Sequence, residues 1–158
     1  MQPESKSVIM KLAASASSAG SIFGTIDTKG FDFLTIDVLA ATVGAAETAV
    51  TALHCGESDT APTNVTTDSE LIPALTGAAA TSSTAGFVLP PASSTTTNLY
   101  RFNVDLRGRK RYIACELIAA AQIVGGVAMV GHLHKGETAP SMSTIGVATA
   151  GCRLIASA

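Results

Sequence analysis

Ile26-Asp27-Thr28-Lys29-Gly30 and Val104-Asp105-Leu106-Arg107-Gly108 read as two copies of one phrase, 78 positions apart. After one inserted residue, Phe33-Leu34-Thr35-Ile36-Asp37-Val38 falls against Tyr112-Ile113-Ala114-Cys115-Glu116-Leu117. Val43-Gly44 then meets Val124-Gly125, and Leu53-His54-Cys55-Gly56-Glu57 meets Leu133-His134-Lys135-Gly136-Glu137. Thr60-Ala61-Pro62 meets Thr138-Ala139-Pro140. Chance could supply any one of these matches, but their common order makes chance a poor explanation for the set. The chain is an internal duplication, with repeat 1 over about 21–62 and repeat 2 over about 98–140.

Inside each copy the apolar period is two. Phe31, Phe33, Thr35 and Asp37 share one face of a strand, and Asp32, Leu34, Ile36 and Val38 share the other. The second face is the core side, which leaves Phe33 for a sheet edge or a subunit contact. Lys29-Gly30 and Arg107-Gly108 mark turns. Each repeat therefore reads as a β-meander: a strand near 21–28 or 98–106, a second strand, an apolar corner at Gly44 or Gly125-Gly126, and a third strand closing at Gly56 or Gly136. Helix competes over the Ala-rich stretch 38–53, but Thr, Val and Gly44 confine it to a short turn near 45–48. Further strands are expected at Val8–Leu12, Glu70–Leu75, Gly86–Pro90 and Thr144–Ile155. The sum is an all-β, jelly-roll-like sandwich or barrel of about eight to ten strands. It forms a single domain over 8–158 behind an N-terminal arm, 1–7. The low-complexity stretch 76–97 connects the repeats, and its apolar island Phe87-Val88-Leu89 is expected to add to a sheet edge.

A chain of 158 residues suits one core. Apolar residues make up 47% but aromatics only 4%, with no Trp, so the core is built from small and β-branched side chains. Each buries little area, and association with copies of itself or with a larger surface would add stability. Cys55, Cys115 and Cys152 have no C-x-x-C spacing and leave one over; they read as small buried hydrophobes in a reducing compartment, not a disulfide framework. The N-terminus lacks the apolar run of a signal peptide. Leu117–Gly131 is too short for a membrane span and is broken by Gly125-Gly126, so a buried hairpin is expected there and no membrane partner.

The net charge of −2 argues against a general nucleic-acid binder. Its distribution is uneven. Between Phe31 and Tyr100 there is no Lys or Arg, but there are seven acids, whereas Arg101, Arg107, Arg109, Lys110 and Arg111 hold half of all the basic residues. Charge in a tight turn is most often simply solvated; if the stretch makes a contact, these five, with Phe33, are the candidate interface residues, and an acidic protein surface such as that of a neighbouring copy is their natural partner. His132-x-His134 puts two imidazoles on one strand face, with His54 at the repeat position of His134. No third or fourth ligand lies near in sequence, so no metal or other cofactor is expected. Asp37 and Glu116 are also repeat equivalents, which raises a carboxylate pair across a pseudo-twofold axis; a solvated strand face is the plainer reading. Phosphate-loop, nucleophile-elbow, zincin and dinucleotide fingerprints are absent, and the site-like residues recur in both copies. An enzyme is not expected.

The run Gly24–Val38, containing Ile26-Asp27-Thr28-Lys29-Gly30-Phe31-Asp32, resembles a signature of small virion proteins of tailed bacteriophages. In those proteins a G-E-S-D-like turn follows the next hairpin, here Gly56-Glu57-Ser58-Asp59. The resemblance covers about a quarter of the chain. It implies a capsid decoration (cement) protein, made in the host cytoplasm and carried on the capsid surface. Its partners would be the major capsid protein and copies of itself, with a trimer favoured. The alternatives are a head–tail connector, a tail protein or a small jelly-roll capsid subunit. A cupin-like metal enzyme using His132, His134 and one carboxylate stands further off.

Overall fold

Asp27 and Asp105 end the two first strands in the same way. The Asp27 carboxylate accepts the Lys29 N–H at 3.1 Å, and the Asp105 carboxylate accepts the Arg107 N–H at 3.0 Å. Gly30 and Gly108 follow at φ of +87° and +81°, a left-handed backbone that glycine enters without penalty. The Phe31 N–H then returns to the Thr28 carbonyl, as the Arg109 N–H does to that of Leu106. The duplication read in the sequence is a duplication of backbone geometry.

The computed structural model describes residues 5–13, 21–40, 48–75, 89–92, 98–119, 126–135 and 152–157. Among them the strands are β1 (Ser5–Ala13), β2 (Ser21–Asp27), β3 (Phe33–Ala40), β4 (Thr48–Ser58), β5 (Glu70–Leu71), β6 (Leu89–Ala92), β7 (Asn98–Asp105), β8 (Tyr112–Ala119), β9 (Val127–His134) and β10 (Cys152–Ser157). One helical turn, α1 (Val65–Asp68), and a 3-10 turn, Pro73–Leu75, lie between β4 and β6. The first sheet runs β1-β9-β3-β7-β10; the second runs β2-β8-β4-β5, with β6 also on β4. All pairings are antiparallel except β10 with β7. The fold is an all-β sandwich.

The strands of a repeat do not pair with one another as a meander would. They alternate between sheets: β3 lies between β7 and β9, and β8 lies between β2 and β4. A tight hairpin reverses the chain in about two residues, but the links 28–32 and 106–111 are longer and spend their backbone groups on the other repeat. The Thr28 N–H donates to the Arg111 carbonyl, the Leu106 N–H to that of Asp32, and the Asp32 N–H to that of His134. Each repeat thus supplies the middle strand of the other's sheet, and neither closes a sheet alone.

Exchanging the repeats exchanges the sheets. Phe33 opposite Asp105 is matched by Tyr112 opposite Asp27, and Asp37 opposite Arg101 by Glu116 opposite Phe23. The third strands slip. His54 opposes Glu116, but Val130, not His134, opposes Asp37. The slip is an even number of residues, so every side chain keeps its face.

The expected core face of β3 is the buried one. Leu34, Ile36 and Val38 pack with Tyr100, Phe102, Val104, Met129 and Leu133 of their own sheet against Ile22, Ile26, Leu53, Cys55, Ile113 and Leu117 of the other. Residues 5–7 of the expected arm belong to β1, where Ser5 and Ser7 oppose His134 and His132. The expected strand 70–75 is only Glu70–Leu71 before the 3-10 turn; the island strand is Leu89–Ala92 on β4, and the C-terminal strand is Cys152–Ser157. Residues 1–4, the corners at Gly44 and Gly125, the turn near 45–47, and 136–151 lie outside the described residues. Leu117–Gly131 falls on the end of β8 and the start of β9, in different sheets.

Candidate functional site

Each of the five candidate basic side chains has an acidic partner within the chain. Arg101 grips Asp37 with two parallel hydrogen bonds, Nε to Oδ1 at 2.5 Å and Nη2 to Oδ2 at 2.6 Å. Arg107 pairs with Asp105, Arg109 with Glu57, and Arg111 with Asp27. Lys110 reaches Glu70 at 2.8 Å and Asp59 at 3.9 Å. All but Arg107–Asp105 join the acidic first half to the basic second half. The charge asymmetry of the sequence is therefore largely closed inside one molecule. The Arg111 guanidinium beside Asp27 holds that carboxyl down at about 2, and Arg107 does the same to Asp105. Phe33 is buried as well, on the outer face of the first sheet, with Arg107 lying 5.1 Å over its ring.

Asp37 and Glu116 do not form a pair. Asp37 faces outward from the first sheet and Glu116 outward from the second, so the whole sandwich separates them. Neither is a solvated strand face. Asp37 is held by Arg101 and approached by His132 Nε2 at 3.4 Å, while Glu116 is buried against His54 at 3.2 Å. Burial pushes the Glu116 carboxyl up, but hydrogen bonds from His54 and Ser21 outweigh it and leave the group below its ordinary 4.5.

His132 and His134 do share the outer face of β9, one row apart. Both nitrogens of His132 are engaged, Nδ1 lying 2.9 Å from the Ser7 hydroxyl and Nε2 facing Asp37. Among the described residues no cluster of three or more His, Cys, Asp or Glu side chains is placed to hold a metal ion. Cys55 and Cys115 oppose each other across β4 and β8, buried and free.

The outer face of the first sheet carries a feature absent from the sequence reading. Ile9 and Leu12 stand three apart, a spacing that puts residues on opposite faces of a regular strand. A bulge at Met10 moves the register from Ile9–Val130 to Lys11–Met129 and brings Leu12 opposite Ala128. Both side chains then point outward, at 68% and 72% exposure, in an alignment the extra residue makes possible. Leu12 continues a row through Ala128, Leu39 and Leu99, with Leu39 40% exposed. Ile9 heads the next row, through Val130 to the Asp37–Arg101 pair. This makes an apolar band across four strands, bordered by charges that already cancel. The odd spacing of Ile9 and Leu12 was the only signal in the sequence, and it does not reveal a bulge.

No family model, curated protein or solved structure matches the chain.

Proposed function

We propose that the chain is a structural assembly protein of a tailed-phage virion, most concretely a capsid decoration protein that bridges subunits of the major capsid protein and associates with copies of itself. The apolar band of Ile9, Leu12 and Leu39 carries this reading. A fold gains nothing internally by exposing large aliphatic side chains side by side, and contiguous exposed apolar surface marks contact sites. The basic stretch first considered as the contact is spent on internal ion pairs, which leaves the sheet face as the better surface. The resemblance of Gly24–Val38 to tailed-phage virion proteins supplies the context.

Purified protein mixed with phage heads should co-sediment at a fixed stoichiometry and raise the temperature at which the heads rupture. Charging the band with Ile9→Glu and Leu12→Glu should abolish binding while leaving the circular dichroism unchanged. Failure of the wild-type protein to bind any head would overturn the reading.

A further inference from the structure

We infer that the outer face of the first sheet is a self-association surface, and that its occupant is the same face of a second copy, related by a twofold axis. This rests on the assembly reading above and gives that face one occupant, a second copy, so that the paired molecule rather than the band itself meets the capsid and charging the band abolishes head binding by undoing the pair. The contact would be isologous, whereas the resemblance implies a trimer.

Two observations select a second copy. The first is charge. Among the described residues the face carries Asp37 and Asp105 against Arg101 and Arg107, each acid paired with its neighbour, so these bear no net charge with neutral histidines. An anionic lipid surface or nucleic acid calls for an unbalanced basic face, and an acidic or basic protein calls for its opposite. A neutral face with an apolar band is complementary to itself and meets its own copy without repulsion.

The second is size. Four strands about 4.8 Å apart, eight residues long at about 3.3 Å each, give a face of about 500 Å². Two such faces bury about 1,000 Å², roughly where specific interfaces begin, so the dimer should be weak and dependent on concentration. Sheets stack face to face at about 10 Å, a separation that Ile9, Leu12 and Leu39 are long enough to fill from both sides. The bulge at Met10 is then explained, because without it Leu12 would turn away from the band.

The test is light scattering across a concentration series, with sedimentation equilibrium. The wild-type protein should move from one to two chain masses as concentration rises. The Ile9→Glu/Leu12→Glu variant should stay at one mass, and so should Ile9→Lys/Leu12→Lys. An equimolar mixture of the two should recover the doubled mass, because opposite charges then meet across the axis. Should a charged variant fail to fold by circular dichroism, Ile9→Ser/Leu12→Ser replaces it and should weaken the dimer at least tenfold.

A wild-type protein that stays monomeric at the highest concentration overturns the inference. So does a trimer, a dimer untouched by these substitutions, or a mixture that does not reassociate. Head binding by a strictly monomeric protein would sink this inference and leave the assembly reading standing; a dimer of this kind that binds no head would do the reverse.

Discussion

His54 Nε2 lies 3.2 Å from Glu116 Oε2, and both side chains are enclosed on the outer side of the second sheet. Among the described residues His54 Nδ1 finds no hydrogen-bond partner, so Glu116 is its principal polar contact. A buried carboxylate left with the Ser21 hydrogen bond alone is more costly than a pair replaced outright. His54→Ala should therefore lower unfolding stability by about 3–5 kcal/mol, whereas His54→Leu combined with Glu116→Leu should recover most of that loss. Urea unfolding of the two variants and the wild type checks it. Equal losses in both variants would contradict the explanation.

Acid should destabilise the protein through a defined set of carboxylates. Asp27 and Asp105 titrate at about 2 when folded, against an ordinary 3.8, because Arg111 and Arg107 stabilise their charged forms. Glu116 is likewise lowered from 4.5. A group with a depressed folded pKa contributes its full stabilisation above the unfolded value and loses it as pH falls toward the folded one. The urea midpoint should therefore begin to fall near pH 4.5 and continue falling toward pH 2. Arg111→Gln should flatten the lower part of this window. Added salt should shrink the Asp27 and Asp105 contributions, which are exposed, more than that of buried Glu116.

The two turn glycines should respond alike to substitution. Nothing lies within 4 Å of a methyl group added to Gly30 or Gly108, so Gly30→Ala and Gly108→Ala cost only the left-handed backbone. Each should lose about 1 kcal/mol. Gly24 differs, because an added Cβ would sit 3.1 Å from Met10 Cβ and 3.2 Å from the Met10 backbone. Gly24→Val should therefore lift β1 from β2, speeding hydrogen exchange at the β1 amides and weakening self-association together. Accelerated exchange throughout the sandwich would show that the effect is not confined to β1.

Much of the fold is legible in the sequence because it is local. The alternation of Leu34, Ile36 and Val38 announces their burial, and Lys29-Gly30 against Arg107-Gly108 announces the paired turns. Strand partnership is not local. Nothing within Phe33–Ala40 says that its neighbours are β7 and β9, because the backbone bonds that steer it, such as Leu106 N–H to the Asp32 carbonyl, come from the other repeat. For the same reason the cluster Arg101–Arg111 looks like surplus charge until its acceptors Asp37, Glu57, Glu70 and Asp27 are folded beside it. The site was hidden by a bulge, a backbone event at Met10 that changes which face a side chain occupies without changing its type.

Cys55 and Cys115 should be silent in the native protein. They oppose one another on the core face, and burial pushes the Cys55 thiol well above its ordinary value, which suppresses the reactive thiolate. With Cys152→Ser removing the third cysteine, a thiol reagent should label nothing in native protein on the timescale of minutes. It should label two groups once urea unfolds the chain. Rapid native labelling would mean that β4 and β8 separate readily.

The ion pairs between the halves should bind the repeats together unequally. Asp37 and Arg101 are mostly shielded from water, lie on adjacent strands and meet through two parallel hydrogen bonds, so little side-chain freedom is lost in joining them. Arg107 and Asp105 are exposed and belong to one turn, where solvent and salt screen them. A double-mutant cycle with Asp37→Asn and Arg101→Gln should give a coupling energy of about 1–3 kcal/mol. That coupling should survive high salt, because the partners sit partly below the surface. The corresponding cycle at Asp105 and Arg107 should give a coupling that disappears in high salt. Because Asp37 belongs to repeat 1 and Arg101 to repeat 2, breaking the first pair should speed the parting of β3 from β7, visible as faster hydrogen exchange along both strands. Loss of the second pair should leave that exchange unchanged. If the two cycles give equal coupling, the charge asymmetry between the halves contributes nothing specific to their interlocking.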